Sequence, residues 1–233
     1  MRPGGKDGKL YRITFGAVIT GGESTTITTS GFYRIVSRAQ SGSGIPVPGE
    51  TLAARGALPL AVGNVYWAKA GQNLVSGDAV LPLNLKLISF ATDVQDSSQG
   101  QSHDVTTQAD VDSGVKAYIP GAFKERTGTI NGVVDVDSEE QYELWGEYRE
   151  IIYTDGTNVA RFPSRPVEHE YMMSRRETDE PGETELWEYM PLISESIQAP
   201  KPMDGVQSFS FNYRIDGKRK PCLIRREVEG AAS

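Results

Sequence analysis

The chain has few residues whose type and spacing suit catalysis, and each has a simpler structural explanation. It contains two histidines, His103 and His169, and one cysteine, Cys222. His103 lies between Ser102 and Asp104, but neighbouring residues of a strand point to opposite faces, so these side chains cannot converge as a Ser-His-Asp triad. His169 lies between two glutamates and is expected on a polar surface. Cys222 has no histidine near it in sequence, which favours a small buried apolar residue over a nucleophile.

Acidic residues are concentrated in two clusters, 135–150 and 177–188. A pair of carboxylates could hydrolyse a glycosidic bond. These acids are dense and evenly spread, however, which is typical of solvated faces, and the aromatic residues Trp187 and Tyr189 between them are expected in a core. The segment starting at Asp135 does not match a calcium-binding loop. Glu140 occupies the position that requires glycine, and Gly146 occupies the position that requires a bidentate glutamate. We predict that the chain is not an enzyme and holds no metal or cofactor.

A basic cluster near the C-terminus stands out in an otherwise acidic chain. It indicates either a nucleic-acid patch or a charged surface that docks against acidic residues of another subunit. Docking is favoured, because the basic run has no interleaved aromatic residues on which bases would stack. The residues are Arg214, Lys218, Arg219, Lys220, Arg225 and Arg226.

Length and composition indicate a soluble chain of one to two domains. Its 233 residues are 38% apolar and 24% charged, enough to bury a core without disulfides or metal. The net charge of −7 disfavours a static nucleic-acid binder. The sequence predicts neither a membrane span nor a signal peptide. A single cysteine excludes an intrachain disulfide, which fits folding in a reducing cytoplasm.

Short runs of Thr, Val, Ile and aromatic residues between glycines predict a mainly β fold. The clearest strand is Ser208–Ile215, where apolar and polar residues alternate without a break, so one face should be buried and the other polar. It ends at a predicted turn, Asp216-Gly217, and 222–228 is expected to return as its partner. A second alternating strand is predicted over 127–136. Weaker candidates are 10–15, 25–29, 32–37, 64–69, 78–83, 87–93, 103–108, 167–176 and 184–193.

One segment has the pattern of a helix. Ser138 and Gln141 form a capping box, and Leu144, Tyr148 and Ile151 recur at helical spacing. We predict a helix over about 139–152, packed on a sheet and ended before the turn Asp155-Gly156.

Composition also suggests loops and a domain boundary. The Gly-, Pro- and Ser-rich stretch 37–59 and the polar stretch 95–101 are expected to be mobile loops. Acidic residues are sparse before residues 83–87 and charge density rises after them. We therefore predict an N-terminal β module, 1–85, and a larger β domain, 86–233.

Three short motifs follow one another between residues 103 and 135. They are Asp104-Val105-Thr106-Thr107, Tyr118-Ile119-Pro120-Gly121 and the run TGTINGVVD from Thr127 to Asp135. Together they resemble the major tail tube proteins of long-tailed, siphovirus-like bacteriophages, over about residues 86–233. Upstream segments at 31–35, 62–67 and 74–80 are similar to an accessory N-terminal module of some members.

The resemblance implies a β-sandwich or partial barrel with one packed helix. Such chains assemble into stacked rings, here expected to be homohexamers, that form the tail tube through which DNA is ejected into the host. The implied partners are further copies of the chain, the tape-measure protein and the tail terminator or baseplate proteins. Double-stranded DNA would pass without specific binding, and no membrane is involved. The implied location is the virion tail, assembled in the host cytoplasm, and the family has no catalytic residues to transfer.

A strand with one polar face, such as Ser208–Arg214, suits the wall of such a tube. A ring of negatively charged chains repels phosphates, so DNA can slide without adhering. The basic cluster then supplies inter-subunit docking charges, and the loop 37–59 or the segment 110–124 is expected to order on contact with the next ring. The predicted lumen-facing residues are Ser208, Ser210, Asn212, Thr127, Thr129 and Asn131.

Two other functions remain open at this point. A carbohydrate-binding or adhesion module of a virion or cell surface requires exposed aromatic side chains, with Trp67 or Trp187 accessible to solvent. A hydrolase requires two acids that converge in a cleft, one of them with a raised pKa.

Overall fold

The computed structural model describes most of the chain. The described residues are 9–88, 91–97, 108–109, 116–117, 127–135, 138, 141, 150–162, 168–176, 181–198, 205–215, 219 and 221–228. Strands account for 56% of the structure and helices for 4%. The predicted mainly β class is confirmed, and the large antiparallel sheet is consistent with a β-sandwich.

The described residues contain seventeen strands. They are β1 Leu10–Phe15, β2 Ile19–Thr20, β3 Thr25–Thr26, β4 Gly31–Ser37, β5 Val65–Ala68, β6 Asn73–Leu74, β7 Ala79–Leu87, β8 Ala91–Ser97, β9 Gln108–Ala109, β10 Lys116–Ala117, β11 Thr127–Val133, β12 Ile151–Asp155, β13 Asn158–Phe162, β14 Glu168–Arg176, β15 Thr184–Gln198, β16 Ser208–Ile215 and β17 Cys222–Glu227. The helix α1 spans Glu50–Ala54, and among the other described residues Gln141 is also helical. No helix in the described residues is long and apolar enough to cross a membrane.

The chain divides into two compact units that differ from the predicted two-segment division. The first unit comprises 1–88, 169–191 and 218–233, and the second comprises 89–168 and 192–217. The predicted boundary at 85/86 falls inside β7. Late segments belong with the N-terminal region because β14 pairs with β1, and β17 pairs with the first half of β15.

The first unit is built around an antiparallel sheet. Its strands are hydrogen-bonded in the order β5-β4-β7-β1-β14-β15-β17, and β2 pairs with the start of β7. β17 also lies beside β5, so the two ends of this series approach each other. The short strands β3 and β6 form a separate pair.

Alternation along the strands of the first unit produces two apolar clusters. In β4, Phe32 belongs to the first cluster, and its neighbour Tyr33, which points to the opposite face, belongs to the second. Seven strands contribute residues to the first cluster. Its members are Ile13, Phe32, Val65, Leu83, Met172, Trp187, Tyr189 and Ile224. The second consists of Ile27, Tyr33, Ile35, Ile45, Tyr66, Ala68, Leu74 and Val80.

The second unit contains the two strands that the sequence predicted best. β16 spans the predicted residues and pairs antiparallel with β11, the second half of β15 pairs with β16, and β8 pairs with β11. Phe209, Phe211 and Tyr213 are buried, as the alternation predicts, together with Ile130 of β11. β12 and β13 form a hairpin whose turn contains Gly156 at φ 51°, at the predicted Asp155-Gly156 position.

The predicted helix over 139–152 is wrong at its C-terminal end. Ile151 and Ile152 belong to β12, because this β-branched run pairs with β13. The predicted cap is present, since the backbone N–H of Gln141 donates to Ser138 Oγ at 3.3 Å. Residues 139–140 and 142–149 lie outside the described residues.

The two predicted loops also contain regular structure. The stretch 37–59 includes α1, which ends in a Schellman motif: Gly56 has φ 82°, its N–H donates to Ala53 O, and Ala57 N–H donates to Leu52 O. The predicted loop 95–101 begins inside β8, which continues to Ser97. The motifs at 104–107 and 118–121, like His103, lie outside the described residues.

Candidate functional site

The six residues predicted to face a lumen lie on one face of two adjacent strands. In the β11–β16 register, Thr129 is opposite Asn212, and Asn131 is opposite Ser210. Thr127 and Ser208 lie on the same face, at opposite ends of the paired strands. The aromatic side chains of β16 alternate to the other face, and on these two strands the polar face carries one charged residue, Arg214, opposite Thr127 at its end.

Hydrogen bonds link this polar face across three strands. Thr129 Oγ1 donates to Asn212 Oδ1 at 2.8 Å, and Asn212 Nδ2 donates to Ser196 Oγ of β15 at 2.9 Å. These two bonds fix the orientation of the side chains of Thr129, Asn212 and Ser196. The result is an ordered polar surface rather than a set of independent side chains.

A pair of charged side chains lies at one end of the polar face. Arg214 Nε donates to Glu195 Oε1 at 2.7 Å, and both side chains are partly exposed. The charge predicted for docking at Arg214 is therefore balanced within the chain.

The other predicted docking charges have different surroundings. Arg219 is ion-paired with Glu170, and Arg226 is ion-paired with Glu185. Arg225 is exposed, and its guanidinium donates to Thr184 Oγ1 at 3.4 Å. Lys218 and Lys220 lie outside the described residues. Intersubunit docking by the cluster stays a prediction, and Arg225 is its most accessible described member.

A buried ion-pair cluster lies at one edge of the first apolar cluster. Glu170 is 4% exposed and is paired with both Arg34 and Arg219. Tyr189 Oη donates to Glu170 Oε2 at 2.7 Å, and the guanidinium of Arg34 lies 4.8 Å from the centre of the Phe15 ring. Burial lowers the pKa of Arg34, the nearby Tyr189 raises it, and Arg219 lowers it further. The carboxylate is held by fixed partners, which suits a structural role.

A second buried carboxylate, Glu185, is held between an indole and a guanidinium. Trp187 Nε1 donates to Glu185 Oε2 at 2.8 Å, and Arg226 pairs with the same carboxylate. Arg226 also lies 4.0 Å from the centre of the Trp67 ring. The expectation that the acids of 177–188 are solvated is wrong for Glu185 and for Glu188, which are both buried.

Beside this group lies a concave pocket of about 640 Å³ in the first unit. Its lining combines apolar side chains, including Tyr66, Trp67 and Ile224, with the cationic Lys69 and Arg225. Trp187 is 7% exposed, so it is not the accessible platform that carbohydrate binding requires. Trp67 is half-buried, and Arg226 stacks on its ring.

The fully buried Asp78 anchors a loop to β7. Its Oδ1 accepts hydrogen bonds from Ala39 N–H at 2.9 Å and Ser43 Oγ at 2.6 Å, and its Oδ2 accepts from Gly44 N–H at 2.9 Å and Val75 N–H at 3.2 Å. Burial raises the pKa of Asp78, but the four donors outweigh it and the net pKa lies below its usual value of 3.8. Gly44 is required here because a Cβ would lie 1.7 Å from Asn73 O.

Cys222 and His169 are the remaining residues that the sequence offers for catalysis. Cys222 is a free, half-buried cysteine that packs against the first apolar cluster. Burial raises the pKa of its thiol, a backbone hydrogen bond with Val65 lowers it, and the charge of Glu188 raises it further. His169 lies in β14, where its backbone is described and its side chain is not. Across the described part of the chain, no group of three or more His, Cys, Asp or Glu residues is arranged to hold a metal ion.

Sequence reasoning missed the buried carboxylates Asp78 and Glu170 and the half-buried Arg34. For two of these residues, the alternation of side chains along a strand indicates burial. Arg34 lies on the same face of its strand as Phe32, and Glu170 lies on the same face as Met172. Asp78 had no such signal, because three of its four donors come from residues 39–44, which are remote in sequence.

Comparison with protein-family models, curated proteins and solved structures finds no match to this chain.

Proposed function

We propose that this chain is a structural virion protein that assembles with its own copies into stacked hexameric rings, forming the tail tube of a long-tailed bacteriophage. The tube is the conduit for DNA ejection into the host. The proposal rests on the resemblance of residues 103–135 to tail tube proteins and on one structural observation: the ordered polar face of β11 and β16.

The chemistry of that face supports a role as a wall for DNA passage. Its hydroxyl and amide groups are wetted by water but offer no cation to hold a phosphate. The charged pair at its end, Arg214 with Glu195, is neutral as a pair. A ring built from chains of net charge −7 adds long-range repulsion of DNA.

An open sheet edge supports self-assembly. Within the described ranges, β8 is the last strand of its sheet and is paired on one side only, with β11. Its other edge presents backbone N–H and C=O groups that a strand of another copy can pair with. Edge-to-edge pairing would continue the polar face from one subunit to the next.

The proposal also fixes partners and location. Besides further copies, the tube contacts the tape-measure protein inside it and the terminator or baseplate proteins at its ends. The chain functions in the virion tail after assembly in the host cytoplasm, and DNA is a transient passenger.

A cysteine placed on the polar face tests the assignment of the lumen. Ser208 is exposed in the single chain, so Ser208→Cys in a Cys222→Ala background should react with maleimides of any size when dilute. In concentrated, assembled protein we expect labelling by N-ethylmaleimide to persist, because water fills a lumen. A maleimide carried on a globular protein too wide for a DNA-sized channel should no longer react.

The two reagents separate the possible locations of the face. Reaction of assembled protein with both would place Ser208 on an outer surface and contradict the lumen assignment. Reaction with neither would place it in a dry subunit interface. The Cys222→Ala background without the new cysteine gives the baseline.

A further inference from the structure

The β12–β13 hairpin is open to solvent along one face and at its tip. Ile152 is 63% exposed and Val159 is 70% exposed, and residues 154–159 are all exposed. Ile152 is opposite Arg161 and Thr154 is opposite Val159, so these four side chains share one face of the hairpin. Two large apolar side chains therefore lie close together on a solvent-facing β surface.

The register leaves hydrogen-bonding groups on both outer edges of the hairpin. Asp155 and Asn158 flank a turn of two residues, so they form a hydrogen-bonded pair, and pairs of the two kinds alternate from there. The residues of the other kind of pair direct their backbone N–H and C=O groups outwards; they are Ile152, Thr154, Val159 and Arg161. In the described part of the chain, β12 and β13 form a sheet of their own, and no third strand pairs with either edge.

These edges lack the features that usually keep folded proteins from pairing edge to edge. Proline, lysine and β-bulges are the common means of blocking a free strand edge. Residues 151–162 contain neither proline nor lysine, and the pairing of the two strands has no bulge. The outward positions Ile152, Thr154 and Val159 are instead β-branched, which favours strand pairing. Both edges are therefore suited to a further strand.

From these edges we infer that hairpins of different copies add to one another in series, with β13 of one copy antiparallel to β12 of the next. The charges favour this order, since β13 carries Arg161, whereas β12 is preceded by Glu150 and ends at Asp155. Arg161 Nη2 donates to Glu150 Oε2 of its own chain at 2.7 Å. Its side chain is nevertheless 70% exposed, so its remaining donors can bind the Glu150 carboxylate of the next copy as well.

The contact joins two different edges, so it is heterologous and can propagate from copy to copy. If the register of the hairpin is repeated between copies, Val159 lies opposite Thr154 of the next copy. A two-fold pairing of β13 with itself would instead place Val159 opposite Arg161. The inference rests on the proposed self-assembly and names two strands that would carry it.

Mixed single-cysteine variants test this register. Val159→Cys and Thr154→Cys, each in a Cys222→Ala background, alter exposed positions of the hairpin and give chains that cannot form an intrachain disulfide. Mixed where the unaltered chain associates, and mildly oxidised, they should form a disulfide-linked dimer, because opposite residues of paired strands have Cα atoms about 5.5 Å apart. Each variant alone should not form this dimer. A matched mixture of Val159→Cys with Val206→Cys, at another exposed valine, should give only the background of random collisions.

A backbone variant tests the edge itself. Val159→Pro removes an outward N–H group but none of the hydrogen bonds inside the hairpin, so it should weaken association about tenfold in sedimentation velocity. Val159→Thr keeps the N–H group and the branched shape and should associate like the unaltered chain.

The possible outcomes separate this contact from self-assembly in general. Cross-linking of Val159→Cys with Arg161→Cys, and not with Thr154→Cys, would overturn the serial pairing in favour of a two-fold contact. Association of the unaltered chain without cross-linking in either mixture would overturn the inference and leave self-assembly standing. An unaltered chain that never associates would remove both this contact and the proposed function.

Discussion

Replacing Glu170 with alanine is expected to lower the free energy of unfolding by about 3–5 kcal/mol. The substitution leaves the guanidinium of Arg34 with 15% side-chain exposure and without its buried counter-charge. It also removes the acceptor of the Tyr189 hydroxyl. A buried cation without a partner is far more costly than the loss of the same contact at the surface.

The matched control is Glu195→Ala, which breaks the partly exposed pair with Arg214. Solvent screens that pair, so its loss should cost about 0–1 kcal/mol. Urea unfolding followed by fluorescence measures both variants on one scale. Equal losses would contradict the account of a buried, structurally essential ion pair.

A paired substitution separates charge from packing at the same site. Arg34→Met with Glu170→Leu removes both buried charges and keeps most of the apolar volume. It should recover most of the stability that Glu170→Ala loses, because Arg34 no longer leaves a charge in the interior, and Arg219, the other partner of Glu170, has 38% side-chain exposure and can be solvated. Stability as low as that of Glu170→Ala would indicate that cavity formation, rather than charge, dominates the single variant.

Replacing Asp78 with alanine is expected to cost about 3–5 kcal/mol at neutral pH. Four donors lose their acceptor, and three of them are backbone N–H groups that hold the loop from Ala39 to Gly44 and the turn at Val75. Asp78→Asn should not restore the loss, since an amide presents an N–H group where one of the two carboxylate oxygens accepts hydrogen bonds. Chemical denaturation measures the cost.

The pH dependence of this site has a definite sign. The pKa of Asp78 is lower in the folded chain than its usual value of 3.8. Its contribution to stability is therefore complete above that value and is lost as the pH falls through the folded pKa. The stability difference between the unaltered chain and Asp78→Asn should narrow in acid. A difference that stays constant from neutral to strongly acidic pH would contradict the assignment.

Local patterns predicted those elements whose burial follows strand alternation. Ser208–Ile215 was predicted in full because every second residue is apolar and Asp216-Gly217 marks its end. The same alternation placed Thr129 and Asn212 on the polar face, although it could not show that they are opposite each other. Register depends on pairing between strands that are 83 residues apart.

Features that depend on remote partners could not be predicted locally. The density of acids predicts that Glu185 and Glu188 lie on a solvated face, and only the fold brings Arg226 to Glu185. The helical spacing of Leu144, Tyr148 and Ile151 extended the predicted helix too far, because the pairing partner of Ile151 is Phe162 of β13. The short helix at Glu50–Ala54 was missed because its surroundings are rich in glycine and proline.

Negative-stain electron microscopy of the concentrated protein tests the central claim most directly. We predict annular particles with a stained central hole and sixfold symmetry, together with stacks of such rings that form tubes. Uniform solid particles of single-chain size at the same concentration would contradict the claim that this protein acts by building a hollow assembly from its own copies.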